Sequence, residues 1–385
     1  MFVLKLIIRN AFRHKLRSIL TIIGVAIAIM AFGLLRTLVG VWYLGVESSS
    51  ASRLVTRNAI SLVFPLPISY ETKIRSVLGI KGISHANWFG GVYITEKNFF
   101  PNFAVDARTY LDLYPEFVLT PQEKKSFMVD RKGCVVGRSI AERFGWKLGD
   151  VVTLKGTIFP GQWEFVVRGI YHGAEKSTDE TQFFFHWDYL NETMKKTSPR
   201  RADMVGIYVV ALDNPQRAAE VSLAIDGMFK NSLAETLTET ERAFQMSFVA
   251  MTEAIVVAIQ IVSYVVIVII MVVAANTMAM TARERISEYA TMKTLGFGAR
   301  HIAGAVFGES IAIAMIGGML GVALSFPAGG WIERELKQFF PVFSISAMTI
   351  YLDLLAAFVV GAVAALFPTW RGATINIADG LRRIG

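Results

Sequence analysis

Four stretches of this sequence stay apolar long enough to cross a lipid bilayer, which removes most of the folds open to a 385-residue chain. A hydrocarbon core of about 30 Å is crossed by a helix of roughly 20 residues. The stretches are 18–46, whose one charge is Arg36 near the far end, then 248–280, 302–331 and 351–370. The first follows a basic N-terminus, but its apolar run is too long for a signal peptide and no A-x-A-like site closes it. Hydrophobic residues make up 53% of the chain and mean hydropathy is +0.46. That is too apolar for a water-soluble protein and too mixed for one wholly in lipid. The expected architecture is an α-helical membrane protein with four transmembrane helices plus an α+β extracytoplasmic domain, residues 47–247, inserted between helices 1 and 2.

Short loops that carry Lys and Arg stay in the cytoplasm. The N-terminal tail holds Lys5, Arg9, Arg13, Lys15 and Arg17; the loop at 281–301 holds Arg283, Arg285, Lys293 and Arg300; the tail at 371–385 holds Arg371, Arg382 and Arg383. Both termini are therefore expected inside, with 47–247 and the short 332–350 loop outside. Basic and acidic residues nearly balance within 47–247, so the net charge of +8 belongs to the membrane portion. Anionic headgroups account for it, and no nucleic-acid partner is implied. Cys134, the one cysteine, allows no intramolecular disulfide and reads as a small buried hydrophobe. A disulfide-poor exported domain fits a bacterial protein.

β-Branched and aromatic runs predict strands at 59–64, 91–94, 151–154, 163–167, 182–186 and 206–211. Helices are expected at 71–78, 138–144 and 215–229, the last opened by Asp213 or Asn214 with Pro215 in the first turn. The polar segments 47–54 and 235–248 adjoin membrane helices and read as helical extensions forming a stalk. Trp88, Phe89 and the run 183-FFF-185 are expected in the core rather than on a lipid-binding surface. The five histidines, His14, His85, His172, His186 and His301, are scattered in sequence, and neither H-E-x-x-H nor G-x-S-x-G occurs.

The membrane portion carries the functional signals. Residues 1–17 place Lys5, Arg9, Arg13 and Arg17 on one stripe opposite Leu4, Ile7, Ile8, Phe12 and Leu16, an interfacial helix that could serve as an anchor or a lever. The segment from Thr281 to Leu295 is strongly helical, with Gly296 and Gly298 as stop signals. It mixes charge with Ile286, Tyr289, Met292 and Leu295 at helical spacing, more than a connector requires, and so reads as a docking surface for a cytoplasmic partner. Glu309 lies too deep in the third span for its short side chain to reach the interface, and an ionisable residue there is either functional or structurally paired. Gly317 and Gly321 form a small-xxx-small packing face. Arg36 and Glu253, both placed near the outer surface, are expected to pair.

Segment order and motifs together resemble the FtsX-like permease family of ABC transporters, with an inserted domain similar to that of MacB-type members. The most specific match is Asn276, 283-RER-285, Glu288 and 292-MKTLG-296, where Tyr289-Ala290 replaces the family's usual Ile-Gly. Further matches are 10-NAFRHKLRSILTIIGVAIAI-29, 133-GCVVGRSIAERFGWKLGDVVTLKG-156 with 166-VVRGIY-171, and 368-PTWRGATINIADGLR-382, in which Ile377 stands for a usual proline. The resemblance implies a permease subunit in a bacterial inner membrane. Its ATPase-docking residues would be Arg283, Glu284, Arg285, Glu288, Met292, Leu295 and Gly296, with Arg36, Glu253, Glu309, Gly317 and Gly321 in the membrane and packing roles. The implied partners are a cytoplasmic ABC ATPase, a second permease chain (homodimer or paralogous heterodimer), membrane lipids and, as further components, a periplasmic adaptor and an outer-membrane channel. No phosphate loop G-x-x-x-x-G-K-[ST] occurs, so ATP and Mg are expected on the partner, with no cofactor and no catalysis in this chain. The implied work is export or extraction of a drug, peptide, siderophore, lipoprotein or lipid; the alternative is mechanical signalling or control of a cell-wall hydrolase without transport.

Overall fold

The computed structural model describes residues 15–47, 49–175, 178–336 and 343–376. Most of the expected 1–17 interfacial helix, the middle of the 332–350 loop and the tail beyond 376 lie outside the described residues. The chain divides into two compact units, one holding four long helices and the other residues 42–251.

The first helix, α1 (Lys15–Glu47), runs through the 18–46 segment. In the inserted domain an 11-stranded mixed sheet forms the scaffold. Its principal strands are β1 (Arg53–Asn58), β2 (Ile80–Trp88), β3 (Asn102–Val105), β4 (Gly133–Gly137), β5 (Val151–Gly156), β6 (Gly161–Gly173), β7 (Phe183–His186), β8 (Ile207–Leu212) and β9 (Thr236–Thr240). Their order is β9-β1-β8-β2-β3-β7-β4-β6-β5, closed by the two-residue strand 91–92, with 117–118 pairing β6 from outside this path. The pairs β3/β7 and β4/β6 are parallel and the rest antiparallel. Strand alternation sends Phe183 and Phe185 into the core on one face and Phe184 into the core on the other, all three fully buried. Cys134 is likewise buried, and desolvation pushes its thiol well above the ordinary range. Short helices cover the faces: α2 (Tyr70–Arg75), α3 (Pro121–Val129), α4 (Arg138–Phe144), α5 (Trp187–Thr197) and α6 (Ala218–Phe229). Helix α3 opens with a capping box, Thr120 and Glu123 each bonding the other's backbone N–H.

Two expectations for this domain are corrected. The strand at 59–64 lies instead at 53–58, and Ile60 and Val63 are exposed. Asn58 ends it, its side-chain oxygen accepting the Ile60 N–H in a turn. Likewise 236–240 is an edge strand rather than a stalk helix, because its β-branched threonines pair with β1, Thr238 Oγ1 lying 3.0 Å from Thr56 Oγ1. Asp226 from α6 accepts the Thr238 N–H at 3.0 Å and so blocks one donor of the open edge. Helix α7 (Glu241–Met251) follows β9 and ends this unit.

The other unit continues with α8 (Glu253–Glu284), the short α9 (Ile286–Thr294), α10 (Ala299–Leu336) and α11 (Ala347–Thr374). Four helices, α1, α8, α10 and α11, are long and apolar enough to span a membrane. They meet around Val25, Ile29, Ala274, Ile313, Ala357 and Val360. Glycines set how closely they approach. A Cβ at Gly317 would lie 2.8 Å from the Val25 Cβ, one at Gly321 2.6 Å from the Ala26 carbonyl oxygen, and one at Gly318 would run into the Ala357 Cβ. Gly321→Val is expected to cost this unit about 1–3 kcal/mol through overpacking. Gly330→Ala, whose Cβ meets nothing within 4 Å, is the neutral control. Thermal unfolding of the purified protein in detergent measures the difference.

Candidate functional site

The helix expected without interruption from Thr281 to Leu295 is broken at Arg285, whose backbone leaves helical geometry at φ −99°, ψ 11°. The break turns the Arg285 side chain into the bundle. Its Nη1 donates to Glu309 Oε2 at 2.6 Å and its Nε to Glu288 Oε2 at 3.1 Å, while its guanidinium carbon sits 5.6 Å from the centre of the Tyr289 ring. Arg285 and Glu309 are both buried. A charge removed from water is tolerable only when paired and hydrogen-bonded. Burial pushes the Tyr289 phenol up to about 12, so at neutral pH it adds no charge to the cluster.

Two further contacts fix α9. Lys293 Nζ donates to the carbonyls of Ala373 and Ile375 at 2.8 and 2.7 Å, capping the end of α11 where helix carbonyls lack partners. Tyr289 packs beside Gly372 and joins Ala282, Ile302 and Val306 in a small apolar cluster. At the end of α8, Glu284 accepts two hydrogen bonds from Arg17, at 2.7 and 2.8 Å, tying the starts and ends of neighbouring helices together.

The residues expected to form a docking face therefore separate into two groups. Arg285 is buried in the ion pair, Glu288 supports it, and Met292 packs on the apolar cluster. Arg283, Glu284, Leu295 and Gly296 are exposed. Gly296 takes φ +92°, a left-handed conformation that glycine adopts without strain, and ends the helix as expected. Phe297, which sequence spacing did not single out, is 46% exposed beside Leu295 at 73%. An apolar, solvent-facing turn thus follows a helix clamped to three others.

Within the spans, Arg36 and Glu253 form no ion pair, and Glu253 is exposed. Asp353 is buried, packs against Gly33, and neither of its carboxyl oxygens has a hydrogen-bond partner. Sequence reasoning passed over it, although an acid at the start of an apolar run is a recognisable signal. In the inserted domain Phe89 is core, whereas Trp88 is 41% exposed, against the expectation that both are buried. Its three histidines do not converge. His85 bonds Glu71, His186 bonds the Phe127 carbonyl and His172 is exposed. Among the described residues no cluster could hold a metal ion.

Two family models and two relatives match most of this sequence. The MacB-like periplasmic core domain model matches residues 18–227 and the FtsX-like permease C-terminal model residues 260–377. The chain belongs to the FtsX-like, MacB-like family of ABC transporter permeases. It is similar to the ABC transporter permease MJ1507 of Methanocaldococcus jannaschii, 22% identical over 97% of this chain and 96% of that one. The Bacillus subtilis permease YvrN is 23% identical over 97% of each chain. The extracellular domain of the noncanonic ABC-type transporter YknZ from Gram-positive bacteria aligns with 49% of this chain and 100% of its own, at 10% identity and a TM-score of 0.37. This is a membrane protein with an extracellular domain, of a family whose members are generally non-catalytic and which implies a cytoplasmic ATPase partner.

Proposed function

We propose that this chain is the permease subunit of an ABC transporter complex and that a separate ATPase docks on the surface formed by Arg283, Glu284, Leu295, Gly296 and Phe297. One observation carries the reading. The Arg285–Glu309 pair and the Lys293 cap make α9 part of the helical unit, while the turn that follows it leaves Leu295 and Phe297 exposed to a partner. Force applied at that turn is passed to packed helices rather than absorbed by a loose loop. With the basic loops inside, both termini and α9 face the cytoplasm of a bacterial inner membrane and the inserted domain faces outward. Two copies, or this chain and a paralogue, pair through α1 and α8, where Leu20, Ile23 and Ile27 of α1 and Ile255, Ile261 and Ile269 of α8 are uncovered in the single chain. ATP and Mg bind the partner ATPase, and its closure drives the extracellular domain to export or extract cargo.

ATP turnover tests this directly. The purified chain alone should hydrolyse no ATP above an empty-nanodisc control, and adding its ATPase should give turnover that depends on both subunits. Mutation-sensitive hydrolysis by the chain alone would overturn the reading.

A further inference from the structure

The segments joining the inserted domain to the first and second spans come together at one buried arginine. Arg53 is the first residue of β1, and Glu241 follows β9 at the start of α7. Because β1 and β9 are neighbours in the sheet, the points where the chain arrives and leaves lie side by side. Every edge of the Arg53 guanidinium is used. Nε donates to Glu241 Oε2 at 2.8 Å, Nη1 to the Leu113 carbonyl at 3.0 Å and Glu116 Oε2 at 3.1 Å, and Nη2 to Glu116 Oε1 at 2.6 Å. Tyr114 covers its flat face at 4.3 Å. The same Glu241 oxygen accepts the Ser50 N–H at 2.8 Å.

Burial works against the Arg53 charge, yet Glu116 and Glu241 more than reverse that effect and hold the guanidinium above its ordinary range. Buried ion pairs seldom add stability over apolar residues of similar size, so stability alone does not account for this one. What the arginine supplies is directional connection, because a planar fork holds two carboxylates in fixed orientation where a lysine cannot. Glu116 sits beside the strand 117–118, which pairs β6 far across the sheet, and its carbonyl accepts the Ala174 N–H. Arg53 therefore connects both linking segments at the sheet edge to the opposite part of the sheet.

We propose that the Arg53–Glu241–Glu116 junction is where movement of the two linking segments is combined and passed to the body of the extracellular domain. The inference rests on the reading above that ATP-driven movement reaches this domain. Arg53 is a positioning residue and touches no cargo.

Hydrogen exchange across the extracellular domain of the intact complex, with and without ATP on a hydrolysis-blocked ATPase, provides the test. In the unmodified complex nucleotide should change exchange in β1, β9 and residues 110–118. Arg53→Lys and Glu241→Gln, in complexes that still assemble and, with the unblocked ATPase, still hydrolyse ATP, should lose the nucleotide-dependent change at 110–118. Arg57→Gln removes the neighbouring Arg57–Glu239 pair on the same two strands and should retain it. If Arg53→Lys fails to fold, Glu116→Gln, which leaves the Arg53–Glu241 contact in place, carries the same expectation. An unmodified complex with no nucleotide-dependent change would overturn the transmission reading and this junction with it. A change at 110–118 that survives Arg53→Lys or Glu116→Gln would overturn the junction alone.

Discussion

Glu309→Ala is expected to destabilise the helical unit by about 3–5 kcal/mol, because it strands the buried Arg285 guanidinium without its strongest acceptor. The size of the loss reflects a buried guanidinium left with Glu288 as its remaining carboxylate, rather than the worth of the pair. A double change that removes both charges, Arg285→Met with Glu309→Leu, should recover most of the loss. It should still impair coupling to the ATPase, since the break at Arg285 that orients α9 depends on the guanidinium bonds. Thermal unfolding in detergent compares the three proteins. A double variant as unstable as Glu309→Ala would show that the pair is not what holds this corner together.

The second large effect concerns the exposed turn. Leu295→Asp together with Phe297→Asp should abolish ATPase association while leaving folding intact, because both side chains face solvent and pack little of the core. A charged pair at the centre of an apolar contact leaves buried charges unpaired, and central interface residues carry most of the binding energy. Glu288→Gln should behave differently. It loosens Arg285, so its effect on association should come with a drop in stability. Measuring binding and unfolding on the same preparations separates docking from support.

Sequence and structure agree where a single long-range pattern decides the outcome. The four helices stay apolar over lengths that a water-soluble helix does not, so they were legible from hydropathy, and Phe183 to Phe185 were legible as core from their composition. Gly317 and Gly321 were legible as packing positions because only a missing side chain allows so close an approach. The errors arise where tertiary contacts decide. The segments 47–54 and 235–248 looked like polar helix, but the cross-strand bonds of β1 and β9 and the Arg53–Glu241 pair pull part of each into the sheet. Within 281–295 a continuous helix would place Arg285 and Leu295 roughly a quarter turn apart. The break at Arg285 separates them, and one faces the bundle while the other faces solvent. Arg36 and Glu253 share depth and opposite charge, but charge and depth alone do not say which side chains meet, and Glu253 is exposed on α8.

An ATPase that acts on this permease at the turn after α9 must touch Phe297. Placing a photo-crosslinking amino acid at Phe297 in the full-length protein in native membranes tests it most directly. One dominant adduct with an ATP-binding subunit is expected, lost on Leu295→Asp. No adduct, or an adduct only with a protein that binds no nucleotide, would contradict it.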